Sequence, residues 1–182
     1  MQRFYKSQRE YGNLNMCTAV CYNVAMRYLG GLDAAFSHES IDEIMKQSAE
    51  FYQGAVLKLQ KPKGLLGVFD VMNLVQLPQG IVSKDFGGTL FSQADDELAD
   101  VEGLIVMSLF DTLQMLRTTT VPAAFIATFK EHSIVFLAQA GGSVMLFDPL
   151  PASIVDVTEH WLSPDGQNGV MYSGVLFGHV AT

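Results

Sequence analysis

The chain has 182 residues, 49% of them hydrophobic and 16% charged, which fits one folded domain over 1–182 with a sizeable core and excludes a disordered tract. With 11 basic against 19 acidic residues the net charge is -8; this repels a phosphate backbone, so no nucleic acid is expected, and a basic protein or peptide is the more natural partner. No apolar run approaches the roughly 18 residues that cross a bilayer, so no membrane association is expected.

In chain order, the leader MQRFYKSQREYGN lacks the apolar core of a signal peptide, and the expectation is an intracellular protein or a domain of one. Cys17, Val20, Cys21, Val24, Ala25 and Tyr28 recur at helical spacing and predict a first helix over Met16–Leu29. Asn15 or Asn13 can cap its start, and Gly30–Gly31 ends it. Ser40 with Glu43 forms a capping box for a second helix to about Tyr52, and a third is expected near Val68–Leu77, stopped by Pro78. The acidic stretches Glu39–Glu50 and Asp95–Glu102 read as solvated helix faces.

Strands dominate from there. The candidates are Gly80–Lys84, Leu104–Leu109, Ala123–Phe129, His132–Leu137, Val144–Phe147 and Val170–Val180, with short helices at Gln93–Asp100 and Thr112–Leu116. Helices first and mostly antiparallel strands afterwards is an α+β pattern, a helix packed on a sheet. In FKEHSIVFLAQAGGSVMLFDP two apolar runs flank a Gly-containing loop, which predicts a hairpin.

The chemistry-bearing residues lie at the two ends of this layout. Cys17 stands at a helix N-terminus, where unpaired N–H groups and the helix dipole stabilise a thiolate and can bind an oxyanion. Cys21, one turn further in, reads as an inert buried thiol. The pair suits neither an intrahelical disulfide nor, without a nearby histidine, a zinc site, so no metal and no cofactor are expected. With the hairpin loop centred on Ala140, His132 stands opposite Asp148, with Cβ atoms about 4.5–5.5 Å apart. An imidazole beside a carboxylate is the arrangement that fixes the tautomer of a general base. Of the other histidines, His38 precedes a helix, His160 lies beside Trp161 and His179 near the end of the last strand; each is an alternative base if the register differs. For a second oxyanion donor the leader offers Gln8, Asn13 and Asn15, with Gln8 preferred because the asparagines are candidate caps.

The order cysteine on a first helix, histidine, then a polar residue on the next strand resembles the papain-like cysteine protease superfamily. Within it the layout is most similar to Josephin-type deubiquitinases, on NMCTAVCYN and KEHSIVFLAQAGGSVMLFDP, covering Gln8–Tyr28 and Phe129–Pro149. The leader Gln stands further from the cysteine than in Josephin domains, and Asp replaces their Asn as third member. The DP of FDPL resembles, more remotely, viral tegument deubiquitinases, which place the catalytic histidine two residues after the aspartate, where this chain has Leu150. The resemblance implies a papain-like fold and a thiol hydrolase that cleaves (iso)peptide bonds through a thioester, with Cys17, His132 and Asp148 as nucleophile, base and orienting residue. It implies ubiquitin or a ubiquitin-like protein as substrate. The alternatives are a papain-like peptidase or acyltransferase of other specificity, and an inactive protein-interaction domain of the same fold.

Overall fold

In a computed structural model describing residues 2–3, 15–31, 36–61, 64–91, 101–150, 152–156 and 170–180, the first apolar stripe is helix α1 (Cys17–Leu29). Its N-cap is Met16, which makes no side-chain cap hydrogen bond, and not Asn15; Asn13 lies outside the described residues. A methionine side chain has no oxygen to offer the first-turn N–H groups, so the residue preceding the cysteine does not cap the helix.

The second helix, α2 (His38–Leu59), is longer than expected at both ends. Ser37 is the cap, accepting from the Ser40 N–H at 3.1 Å, so the helix starts ahead of the predicted box and Ser40 lies within its first turn. Gly54 does not stop the helix, because Ala55 is buried just beyond it and packing outweighs the roughly 1 kcal/mol that glycine costs. Helix α3 (Val68–Leu74) ends three residues short of Leu77.

The strands are β1 (Gln2–Arg3), β2 (Ile81–Thr89), β3 (Leu104–Val106), β4 (Ala123–Phe129), β5 (His132–Ala138), β6 (Val144–Asp148), β7 (Ser153–Asp156) and β8 (Met171–His179). Helix α4 (Leu109–Leu116) lies between β3 and β4 and starts earlier than Thr112, because Ser108 caps it by accepting from the Asp111 N–H at 3.1 Å. The expected helix Gln93–Asp100 falls outside the described residues. Strand β2 runs through Gly87 and Gly88 instead of stopping at Lys84. At Gly88 a Cβ would meet the Met107 carbonyl oxygen at 2.5 Å, so this glycine marks a close backbone approach and not a turn.

Among the described residues, eight strands form one sheet in the order β1-β7-β6-β5-β4-β8-β2-β3. Every pairing is antiparallel except β2 with β3. Both faces of its centre are buried, which accounts for the continuous apolar runs. Along β4, Ala124 and Ile126 face the α1–α2–α3 side with Val20, Val24 and Ile44. Phe125 and Ala127 face the α4 side with Phe86, Leu109 and Leu113. The fold is therefore α+β, an N-terminal helix packed on a mostly antiparallel sheet. Among the described residues no helix is long and apolar enough to cross a membrane.

The β5–β6 hairpin differs from expectation in one respect that reaches the site. Its pairs run Val135↔Phe147 to Ala138↔Val144, so the loop is centred on Gly141 and the register is displaced by two residues. Gly141 and Gly142 both take positive φ, which lets the chain turn later than an Ala140-centred loop would. A displacement of two leaves every side chain on its predicted face, where a displacement of one would reverse them.

Candidate active site

Cys17, His132 and Asp148 occupy three element termini: the first residue of α1, the first of β5 and the last of β6. Because of the displaced register, His132 meets Asp148 diagonally, with its Nε2 2.8 Å from Asp148 Oδ1. Continued three positions, the register sets His132 across from Leu150. The carboxylate is fixed in turn by the Leu150 N–H, which donates to Oδ1 at 3.1 Å. With Nε2 engaged by Asp148, the ring's other nitrogen is the one left for the Cys17 sulfur, and the two groups lie close enough for each to shift the other's titration.

Electrostatics favour the charged forms of this pair. Burial pushes the Cys17 thiol up, but its bonds to the His132 ring and the Ser133 N–H, with the attraction of the ring's charge, bring it below its ordinary value of 9.0. The hydrogen bond to Asp148, then the one to Cys17, raises His132 from 6.5 to about 9 against the opposing effect of burial. Cys21 behaves oppositely. It is fully buried, and burial followed by the nearby Cys17 and Asp148 charges lifts its thiol well above 9.0.

Two neighbours of these residues complete the geometry, and both went unremarked in the sequence. The Ser133 N–H donates to Cys17 Sγ at 3.3 Å. It is available because the two-residue β4–β5 turn pairs Phe129 with His132. The next pair, Thr128 with Ser133, is then a non-hydrogen-bonded one whose N–H points away from β4. On that side the ladder to β6 begins only at Val135, so the sulfur takes the donor. Thr18 Oγ1 lies 2.7 Å from Ser133 Oγ and donates to the Leu66 carbonyl at 2.7 Å. Ser133 Oγ in turn lies 2.6 Å from Thr128 Oγ1. The only available signal was that a hydroxyl residue directly follows both Cys17 and His132.

Of the proposed oxyanion donors, Gln8 and Asn13 lie outside the described residues. Asn15 stands two residues before Cys17, and its Nδ2 would lie 3.8 Å from a Cβ placed on Gly64. Among the other histidines, His38 opens α2 and His179 is exposed at the end of β8, while His160 lies outside the described residues. Among the described residues no group of three or more His, Cys, Asp or Glu side chains could hold a metal ion. Chemically, the arrangement can generate a thiolate at a helix N-terminus, exchange a proton with it and hold the imidazole in one orientation.

No protein-family model matches the chain, and no curated protein matches it. Among solved structures it is similar to the ubiquitin-specific protease of murine cytomegalovirus tegument protein M48, crystallised with a ubiquitin-based suicide substrate. The TM-score is 0.72 at 20% identity, covering 100% of this chain and 88% of that one. At that identity the likeness is one of fold. It lies with the tegument kind of enzyme, which the sequence ranked second, and not with Josephin domains specifically.

Proposed function

We propose that the chain is a papain-like thiol hydrolase that removes ubiquitin or a ubiquitin-like modifier. The observation that supports it is the gathering of Cys17 at the start of α1 with the hydrogen-bonded His132–Asp148 pair, the Ser133 N–H next to His132 donating to the Cys17 sulfur. The substrate class is supported by the fold shared with a protease crystallised on a ubiquitin-based substrate and by the net charge of -8, which suits a basic protein partner.

In this reading the Cys17 thiolate attacks the carbonyl carbon of a peptide or isopeptide bond, and the carbonyl electron pair moves onto oxygen. The Cys17 N–H, in the first turn of a helix whose N-cap residue offers no side-chain acceptor, donates to that oxyanion. Gln8, Asn13 or Asn15 would supply the second donor. His132, holding the proton taken from the thiol, passes it to the departing amine as the C–N bond breaks, and a thioester remains. Water then gives a proton to His132 and attacks the thioester, the thiolate is expelled and the carboxylic acid leaves. Asp148 stabilises the imidazolium in both halves.

A ubiquitin bearing a C-terminal electrophile should label the folded protein and leave Cys17→Ala unlabelled. No labelling of the folded protein, together with labelling by a peptide-based thiol probe, would move the assignment to a peptidase or acyltransferase. Ordinary thiol reactivity at Cys17 would leave the interaction-domain reading.

A further inference from the structure

Resting on that reading, we propose that Thr18 and Ser133 are positioning residues whose hydroxyls form a one-way chain clamping the start of α1 to the sheet, so that the Ser133 N–H stays aimed at the Cys17 sulfur. The direction of the chain follows from counting protons. A carbonyl oxygen only accepts, so the single hydroxyl proton of Thr18 goes to Leu66. Thr18 Oγ1 must then accept from Ser133, at 2.7 Å. The Ser133 proton is thereby committed, and Ser133 Oγ must accept from Thr128, at 2.6 Å. Three hydroxyls and three protons make three bonds ending on a carbonyl, with none to spare. With its one proton committed to Thr18, the Ser133 hydroxyl has none to give the nearby sulfur, and the residue serves the thiolate through its N–H.

The location gives the chain its leverage. Thr18 directly follows Cys17 and Ser133 directly follows His132, and both are buried, at 1% and 0% exposure. The chain joins β4, β5, α1 and the segment preceding α3 beside Cys17 and His132. Rotating the first turn of α1 would break two of its bonds before the sulfur could leave the Ser133 N–H. In so dry a place the broken partners would find no water to replace them.

The test is the pH dependence of iodoacetamide alkylation at Cys17 in wild type, Thr18→Val, Thr18→Ser and Ser133→Ala, with thermal unfolding measured alongside. Thr18→Val keeps the shape and removes the hydroxyl; it should move the midpoint upward by about one pH unit, the scale of one weakened hydrogen bond to a charged group. Thr18→Ser should restore the wild-type midpoint, and Ser133→Ala, which retains the N–H, should shift in the same direction as Thr18→Val and serves if that variant does not fold. A merely structural role would lower the unfolding temperature and leave every midpoint in place, and that result overturns the inference alone. A wild-type midpoint already at the ordinary thiol value overturns the hydrolase reading with it.

Discussion

His132 Nε2 and Asp148 Oδ1 stand 2.8 Å apart on neighbouring strands, and the contact leaves the opposite ring nitrogen as the one available to the sulfur on α1. The carboxylate cannot readily swing away, because the Leu150 N–H holds the same oxygen. One atom thus sets the orientation of the imidazole, its tautomer and much of its basicity.

Removing that atom should be costly in a specific way. Asp148→Ala is expected to lower kcat/KM on a ubiquitin-derived substrate by about 100-fold or more. It should also bring the His132 titration, followed by NMR, down from about 9. Asp148→Asn retains an acceptor for the ring N–H and should keep more activity than alanine. An unchanged His132 titration in Asp148→Ala would contradict the role given to the carboxylate.

The pH dependence has two opposed parts. His132 is raised when folded, so its contribution to stability is full below 6.5 and is lost as pH rises through about 9. Cys17 is lowered, so its contribution is present above the unfolded thiol value of 9.0 and is lost as pH falls through the folded one. In Cys17→Ala only the first remains. The urea midpoint of that variant should fall as pH rises above 6.5, over a window that ends below 9 because Cys17 no longer raises His132, and adding His132→Gln should flatten the curve. For the intact pair, kcat/KM should fall away on the alkaline side near 9, as macroscopic values shared by both groups.

The turn that delivers His132 is strained. Lys130 and Glu131 both take left-handed conformations, at φ 52 and 61, in a two-residue loop that favours Asn-Gly. Glu131→Gly should therefore raise stability by about 0.5–1 kcal/mol in chemical denaturation. A loss of stability would mean that the Glu131 side chain contributes contacts outweighing the relief.

The two thiols should differ sharply. At neutral pH iodoacetamide should add one label, at Cys17, and a second at Cys21 only after denaturation, which mass spectrometry resolves. Cys21→Ser should cost about 1–3 kcal/mol by burying a hydroxyl in an apolar site. Equal labelling of both in the native state would contradict the buried placement of Cys21.

What could be read ahead of the structure followed periodicity. Strand β4 matches its expected limits, Ala123 to Phe129, because every residue along it is apolar or β-branched up to the turn at Lys130. Strand β2 and the second half of α2 were underestimated where glycines interrupt the pattern and tertiary contacts overrule them. The meeting of His132 with Asp148 was legible despite the wrong loop centre, since a displacement of two preserves parity. The Thr18–Ser133 contact joins residues 115 positions apart and leaves no local trace. No spacing rule reaches that far.

The position of β8 has a kinetic consequence. The strand lies between β4 and β2, and its pairs with β2 run from Ile81↔His179 to Thr89↔Met171. Among the described strands, the β2–β3 unit is hydrogen-bonded to the rest of the sheet only through this late segment. A ribosome must therefore release about ninety further residues after β2 before the two parts can zip together. Refolding should accordingly fall in the slow, milliseconds-to-seconds class set by distant pairings, and shortening the chain within β8 should leave β2 and β3 exposed as an aggregation-prone edge.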